Sequence, residues 1–182
     1  MAKFPLNALL GYNNGVRDFI LLFVAGKAMR IIMSTFCFTS KDEERYARAS
    51  LILAKRLGLI DDSSLDAVKV RCNAENEKRQ RALDAGEVVY GLKQFTVPVY
   101  LDYELTRFRL DFAAEVEACK NAFNYQPIDK KQLKEYYKAN RDLFTRYNGD
   151  KFRFKESSMV IYKKIREEQY DAEINAILCQ LD

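Results

Sequence analysis

The chain has 182 residues and a formal net charge of +4, with 31% charged residues, a length that suits one domain. It contains no histidine, which excludes Ser-His-Asp and Cys-His catalytic sites. Basic and acidic residues alternate along much of the sequence, a pattern typical of solvated helix faces and not of a nucleic-acid groove.

Apolar periodicity predicts a helix from about residue 16 to residue 36, apolar on most faces and therefore buried. Ser40 and Glu43 form a capping box that begins the next helix, and Gly58 ends it. A third helix begins at Asp62 or Ser63 and continues to residue 85. Its middle, residues 73–81, is almost entirely polar and is expected in solvent.

A long central helix is predicted over about residues 96–124. Its apolar positions follow one another at intervals of three and four, which gives one continuous helical face. These positions are Leu101, Leu105, Phe108, Phe112, Val116, Cys119 and Phe123. At 1.5 Å per residue such a helix is about 40 Å long.

Asp129 and Gln132 form a second capping box, which predicts a helix with Tyr136 and Tyr137 on its apolar side. Phe152 and Phe154 alternate with charged residues, as in a short strand. Ser157 or Ser158 is expected to start a C-terminal helix that packs back on the central helix. The sequence therefore predicts a single all-α domain over residues 1–182.

The sequence indicates no metal site and no cofactor. The four cysteines are too far apart for a zinc-type pair, and each lies among apolar residues, which favours small buried side chains. Asp111 and Glu115 lie one turn apart, so they could bind a cation or share a proton. A solvated helix face explains the same pair, because hard cations take more than two oxygen ligands.

The longest apolar run, residues 19–25, is far shorter than the roughly 20 residues of a membrane span. We therefore expect no transmembrane segment. The compartment is expected to be extracytoplasmic if a signal has been removed from the chain, and cytoplasmic otherwise.

The aromatic residues, 12 Phe and 11 Tyr, indicate a function more strongly than the acidic residues do. Several lie in loops or at helix edges, where a tyrosine offers a large contact area and a hydroxyl that tolerates water. Ordinary half-buried tyrosines explain the same pattern. The candidate peptide-binding residues are Tyr90, Phe95, Tyr100, Tyr103, Tyr136 and Tyr137.

Residues 55–144 resemble the helical chaperone domain of SurA/PrsA-type foldases. The motifs that carry this resemblance are "AKRLGLIDDSSLD", "YGLKQFT" before "YLDYEL", and "IDKKQLKEYYKANRDLF". In that family a parvulin isomerase module commonly follows the last of these helices. Here residues 145–156 form a short link that is too small for such a module.

The resemblance implies non-catalytic binding of unfolded or extended polypeptide clients, without isomerase activity. A cleft between the central helix and the "KEYYKAN" helix would then hold the client. The first alternative is a subunit that holds one folded partner or forms a homo-oligomer through the same helical surface. A second alternative is an enzyme that uses carboxylates and tyrosines, among them Asp111 and Glu115.

Overall fold

The computed structural model describes residue 38 and residues 40–181. Within these residues the chain forms six α-helices and one 3-10 helix, and no β-strand. The α-helices are α1 Lys41–Arg56, α2 Leu65–Asp84, α3 Val97–Ala113, α4 Glu117–Ala122, α5 Lys130–Ala139 and α6 Phe154–Leu178. The 3-10 helix Arg141–Phe144 lies between α5 and α6. The predicted all-α fold is confirmed.

Capping side chains set the starts of α1, α2 and α5. The Ser40 hydroxyl accepts a hydrogen bond from Glu43 N at 3.1 Å, and both halves of the Asp129–Gln132 capping box are present. The N-cap of α2 is Ser64, a little later than predicted, because Asp62 accepts from Ser64 N at 2.8 Å and positions it. Gly58 has φ +69°, as expected of the residue after a helix C-cap.

The core lies where α6 packs against α1 and α3, and α2 packs against α3. The packing of the C-terminal helix against the central helix is therefore confirmed. Fully buried apolar side chains come from each of these helices and hold them together by removing apolar surface from water. They include Leu51, Ala54, Val68, Cys72, Phe112, Tyr170 and Ile174.

Two charged contacts tie the helices together at the edge of this core. Arg71 of α2 donates to both carboxylate oxygens of Glu104 in α3, at 2.6 and 2.8 Å. Arg109 of α3 donates to Asp171 at 3.1 and 2.8 Å and to Glu167 at 2.9 Å, both in α6. Glu104 and Glu167 are buried, so each guanidinium offsets the cost of burying a carboxylate.

Predictions for the C-terminal helix start, the short strand and one cysteine are wrong. The helix α6 begins at Phe154, earlier than Ser157, because the Glu156 carboxylate accepts a hydrogen bond from Arg153 N at 3.1 Å and so satisfies a backbone group at this earlier start. The strand expected at Phe152 and Phe154 is replaced by an isolated backbone bridge between Thr145 and Lys151. Cys179 is exposed, whereas Cys72 and Cys119 are buried as expected.

The helix predicted at residues 16–36 lies outside the described residues, so a single domain over residues 1–182 stays a prediction. Across residues 40–181, every helix is too short or too polar to span a bilayer.

Candidate functional site

The central helix predicted over residues 96–124 is divided in two at Glu115. After α3, Glu115 N donates to Phe112 O at 3.0 Å and Val116 N donates to Asp111 O at 3.2 Å. This pair of bonds is the Schellman pattern that ends a helix. Glu115 stands at the position where glycine is usual, with φ 52°. A left-handed conformation costs a residue with a side chain about 1–2 kcal/mol, so its contacts must hold it there.

Those contacts come from α6. The Glu115 carboxylate oxygen Oε1 accepts hydrogen bonds from the Tyr162 hydroxyl and, at 2.8 Å, from Arg166 Nε. Arg166 also donates to Tyr162 at 3.0 Å and to Gln169 at 2.7 Å, and only 2% of its surface is exposed. The buried guanidinium therefore fixes the carboxylate in place and stabilises the break in the helix.

The same contacts keep Glu115 ionised. Desolvation alone would raise the pKa of its carboxyl group, but hydrogen bonds from Tyr162 and Arg166 and the charges of Arg166 and Lys120 hold that pKa below its ordinary value. A carboxylate in this state accepts hydrogen bonds at neutral pH and has no proton to give.

A surface cavity of about 540 Å³ opens beside this carboxylate. Its lining combines a carboxylate, an ammonium group, two side-chain amides and two aromatic rings. The lining residues are Glu115, Lys120, Asn121, Ala122, Phe123, Asn124 and Tyr125. We call this cavity the Glu115 pocket. Its volume is that of a small-ligand site.

Several contacts hold the Tyr125 ring in the wall of the pocket. The Tyr125 hydroxyl donates to Phe112 O at 2.9 Å, and the Tyr125 ring meets the rings of Phe112 and Phe123 at centroid distances of 4.9 Å. The Arg166 guanidinium lies 4.8 Å from the centroid of the same ring. The lining thus has a fixed ring and a fixed carboxylate, so little ordering entropy is lost when a ligand binds.

The predicted aromatic residues fall into separate groups. Phe95 and Tyr100 are buried and contact Tyr103, with ring centroids 5.2 to 6.0 Å apart. Tyr90 lies on the preceding loop with 85% of its surface exposed. Arg79 holds the backbone of that loop by donating to Tyr90 O at 3.2 Å and Leu92 O at 2.7 Å.

Tyr136 and Tyr137 lie on α5, which packs against α6. The Tyr136 hydroxyl donates to Glu168 at 2.7 Å, and the Tyr137 hydroxyl donates to Phe152 O at 2.6 Å. Among the described residues, no ring contact joins these two tyrosines to Tyr100 or Tyr103. Ring contacts therefore do not join the six residues into one cluster, and their role in binding stays a prediction.

Asp111 and Glu115 do not act as a pair. Asp111 lies 3.5 Å from Arg107 on its own helix, whereas the left-handed turn directs Glu115 toward α6. Nowhere in residues 40–181 do three Cys, Asp or Glu side chains converge as a metal-binding group.

Sequence reasoning missed Tyr162, Arg166 and most of the pocket lining. One signal was available: Arg166 is a charged residue one helical turn before the core residue Tyr170. A cation at such a position needs a buried anion.

No protein-family model and no curated protein matches this chain. Two solved structures are similar, both of the GH136 lacto-N-biosidase from Eubacterium ramulus. The native form has a TM-score of 0.64 and 22% sequence identity, and covers 75% of this chain and 28% of that chain. The selenomethionine form has a TM-score of 0.63 and 23% identity over the same shares.

The chain thus shares the fold of part of a glycoside hydrolase and spans 28% of that protein's length. The predicted resemblance to SurA/PrsA-type foldases is wrong, and so is the non-catalytic chaperone function with its foldase-related keywords. The motifs that carried this resemblance, such as "LKEYY", reflect helix capping and helical periodicity. Unrelated helical proteins share both features.

Proposed function

We propose that this chain takes part in glycan processing as a helical module that binds a sugar unit in the Glu115 pocket and leaves bond cleavage to another module. The observation that carries the proposal is the ionised Glu115 carboxylate, fixed by the buried Arg166 at the edge of a cavity with amides and aromatic rings. The fold shared with part of a glycoside hydrolase supports the choice of ligand.

The lining matches the chemistry of a saccharide. Neighbouring hydroxyls of a sugar ring donate to an ionised carboxylate, and charge-assisted hydrogen bonds of this kind are about twice as strong as neutral ones. The amides of Asn121 and Asn124 both donate and accept, as sugar hydroxyls do. The exposed parts of the half-buried Phe123 and Tyr125 rings add apolar surface for the C–H groups of the sugar.

The same lining argues against cleavage in this pocket. Glycoside hydrolysis uses two carboxyl groups about 5–10 Å apart, one of which must hold a proton to give to the leaving group. Glu115 is the single carboxylate among the described residues that line the pocket. Its pKa is lowered and not raised, so it is unsuited to act as a general acid.

The proposal is tested by screening the purified chain against an array of neutral oligosaccharides, including lacto-N-biose, the unit after which the similar hydrolase is named. Affinity for the best oligosaccharide is then measured by calorimetry for wild type and Glu115→Gln. We expect the substitution to weaken binding at least about tenfold, because a hydrogen bond to a charged group contributes about 1.5–3 kcal/mol.

Glu117→Gln is the matched control, since Glu117 is an exposed residue of α4 outside the pocket lining. Asn124→Ala removes an exposed amide of the lining and tests the pocket without disturbing Arg166. Absence of binding across the array contradicts the proposal, as do Glu115→Gln and Asn124→Ala affinities equal to wild type. Hydrolysis of any bound oligosaccharide by the purified chain contradicts the proposal that another module cleaves the bond.

A further inference from the structure

The net positive charge of the chain is concentrated in residues 129–156, which we call the basic segment. It contains nine basic and five acidic residues, and the whole chain contains 30 and 26. The basic segment therefore carries the entire formal net charge of +4, and the rest of the chain is balanced. It comprises α5, the 3-10 helix, the turn that follows and the start of α6.

The basic segment folds back on itself as one surface. Phe152 N donates to Phe144 O at 2.9 Å, next to the bridge between Thr145 and Lys151. The Tyr137 ring contacts those of Phe144 and Phe154 at centroid distances of 5.4 and 5.7 Å. These aromatic contacts bring α5 beside the turn, so their charges lie on neighbouring surface.

The basic side chains of this segment are available to a ligand. All nine residues are exposed: Lys130, Lys131, Lys134, Lys138, Arg141, Arg146, Lys151, Arg153 and Lys155. None of them takes part in an ion pair of the described part of the chain, whose pairs join other residues. Lys130, Lys134 and Lys138 follow one another at intervals of four, which places them on one face of α5.

We infer that the basic segment binds an acidic polysaccharide, a polymer with repeated sulfate or carboxylate groups. A row of exposed cations one helical turn apart matches repeated anionic groups, and releasing the polymer's counterions favours binding. The choice of a polysaccharide rests on the proposed function. It goes beyond that function, because this surface recognises charge and the Glu115 pocket recognises hydroxyls.

The basic segment has one fully exposed aromatic ring, Tyr147, and not the series of open ring faces on which successive bases of a single-stranded nucleic acid stack, so we favour a polysaccharide. Here Arg141 lies 5.2 Å from the centroid of the Tyr137 ring, and Arg146 lies 4.5 Å from that of Phe152. Each guanidinium covers a ring face and adds a charge at the surface.

The test compares binding of dextran sulfate, neutral dextran and polydeoxythymidine by fluorescence anisotropy. We expect dextran sulfate to bind and neutral dextran not to bind. With about four cationic contacts, affinity for dextran sulfate should fall about 100-fold between ~50 and ~200 mM salt. Tighter binding of polydeoxythymidine than of dextran sulfate at equal charge concentration overturns the choice of a polysaccharide.

A triple variant with Lys134→Ala, Lys138→Ala and Lys151→Ala should bind dextran sulfate at least tenfold more weakly, with a salt slope lower by about 1 for each lysine. The control replaces Lys55, Lys78 and Lys93 by alanine, which changes net charge equally elsewhere on the surface. Equal loss in both variants overturns the inference. Loss of dextran sulfate binding alone leaves the Glu115 pocket proposal standing, and loss of neutral oligosaccharide binding alone leaves this inference standing.

Discussion

Arg166 Nε lies 2.8 Å from the Glu115 carboxylate and connects α6 with the break between α3 and α4. The arginine is almost fully buried, and the glutamate side chain is 19% exposed. Removing one partner of such a pair leaves an uncompensated charge, at a cost of several kcal/mol. The strained break in the helix and the pocket beside it thus depend on the contacts of Glu115 with Arg166 and Tyr162.

Arg166→Met should lower the free energy of unfolding by about 3 kcal/mol, because it leaves the Glu115 carboxylate without its cation. Urea unfolding followed by circular dichroism measures the change. Lys163→Met is the control, since Lys163 is exposed one turn earlier on the same helix. A loss no larger than that of the control contradicts the role assigned to Arg166.

The Glu115 contact also makes stability depend on pH. The pKa of its carboxyl group is lower in the folded chain than its ordinary value of 4.5. The folded state then binds the proton less readily than the unfolded state, so this contribution is complete above about pH 4.5 and is lost as pH falls through the folded pKa. Thermal unfolding between pH 7 and pH 3 should show a steeper decline for wild type than for Glu115→Gln. Parallel curves for the two proteins are the contrary outcome.

Asn76 holds the loop before α3 through two hydrogen bonds to the backbone of Phe95. Its amide nitrogen donates to Phe95 O at 2.9 Å, and its amide oxygen accepts from Phe95 N at 2.7 Å. Asn76→Ala should cost about 2 kcal/mol in unfolding free energy, because it leaves both backbone groups beside the buried Phe95 ring without this partner. Asn73→Ala, at an exposed position one turn earlier, should cost far less. Similar losses in the two variants contradict the role of Asn76.

Gly58 ends α1 with φ +69°, and a Cβ atom added there would meet nothing within 4 Å. Gly58→Ala should therefore destabilise the chain through backbone conformation alone, by about 1 kcal/mol. Gly58→Asn should cost less, since asparagine enters the left-handed region more readily. Thermal unfolding compares the stabilities of both variants with that of wild type. A Gly58→Ala variant as stable as wild type contradicts the predicted backbone cost.

Local signals predicted much of the fold. Ser40, Gly58 and Asp129 act on backbone groups within a few residues, so their positions in the sequence determine where α1 and α5 begin or end. The apolar spacing of the central helix continues through the position of its break. No local signal indicates that break, because Glu115 adopts its left-handed conformation through contacts with Tyr162 and Arg166, 47 and 51 residues away.

The candidate site was predicted less well than the helices, because its residues come together through contacts between distant parts of the sequence. The aromatic content of the sequence favoured Tyr100 and Phe95 as binding residues, but both are buried in the core. The charge of the basic segment is visible in the sequence, but its lack of ion pairs depends on where the acidic side chains of other helices point. Homo-oligomerisation and the cellular compartment stay predictions.

The central claim is that a sugar unit binds in the Glu115 pocket, and the most direct measurement is an NMR titration of the ¹⁵N-labelled chain with its best-binding neutral oligosaccharide. We predict saturable shifts in the side-chain amides of Asn121 and Asn124 and in the backbone amides of residues 115–125. Glu115→Gln should reduce these shifts, and Glu117→Gln should leave them unchanged. Saturable shifts confined to other residues, or no shifts with millimolar saccharide, contradict the claim.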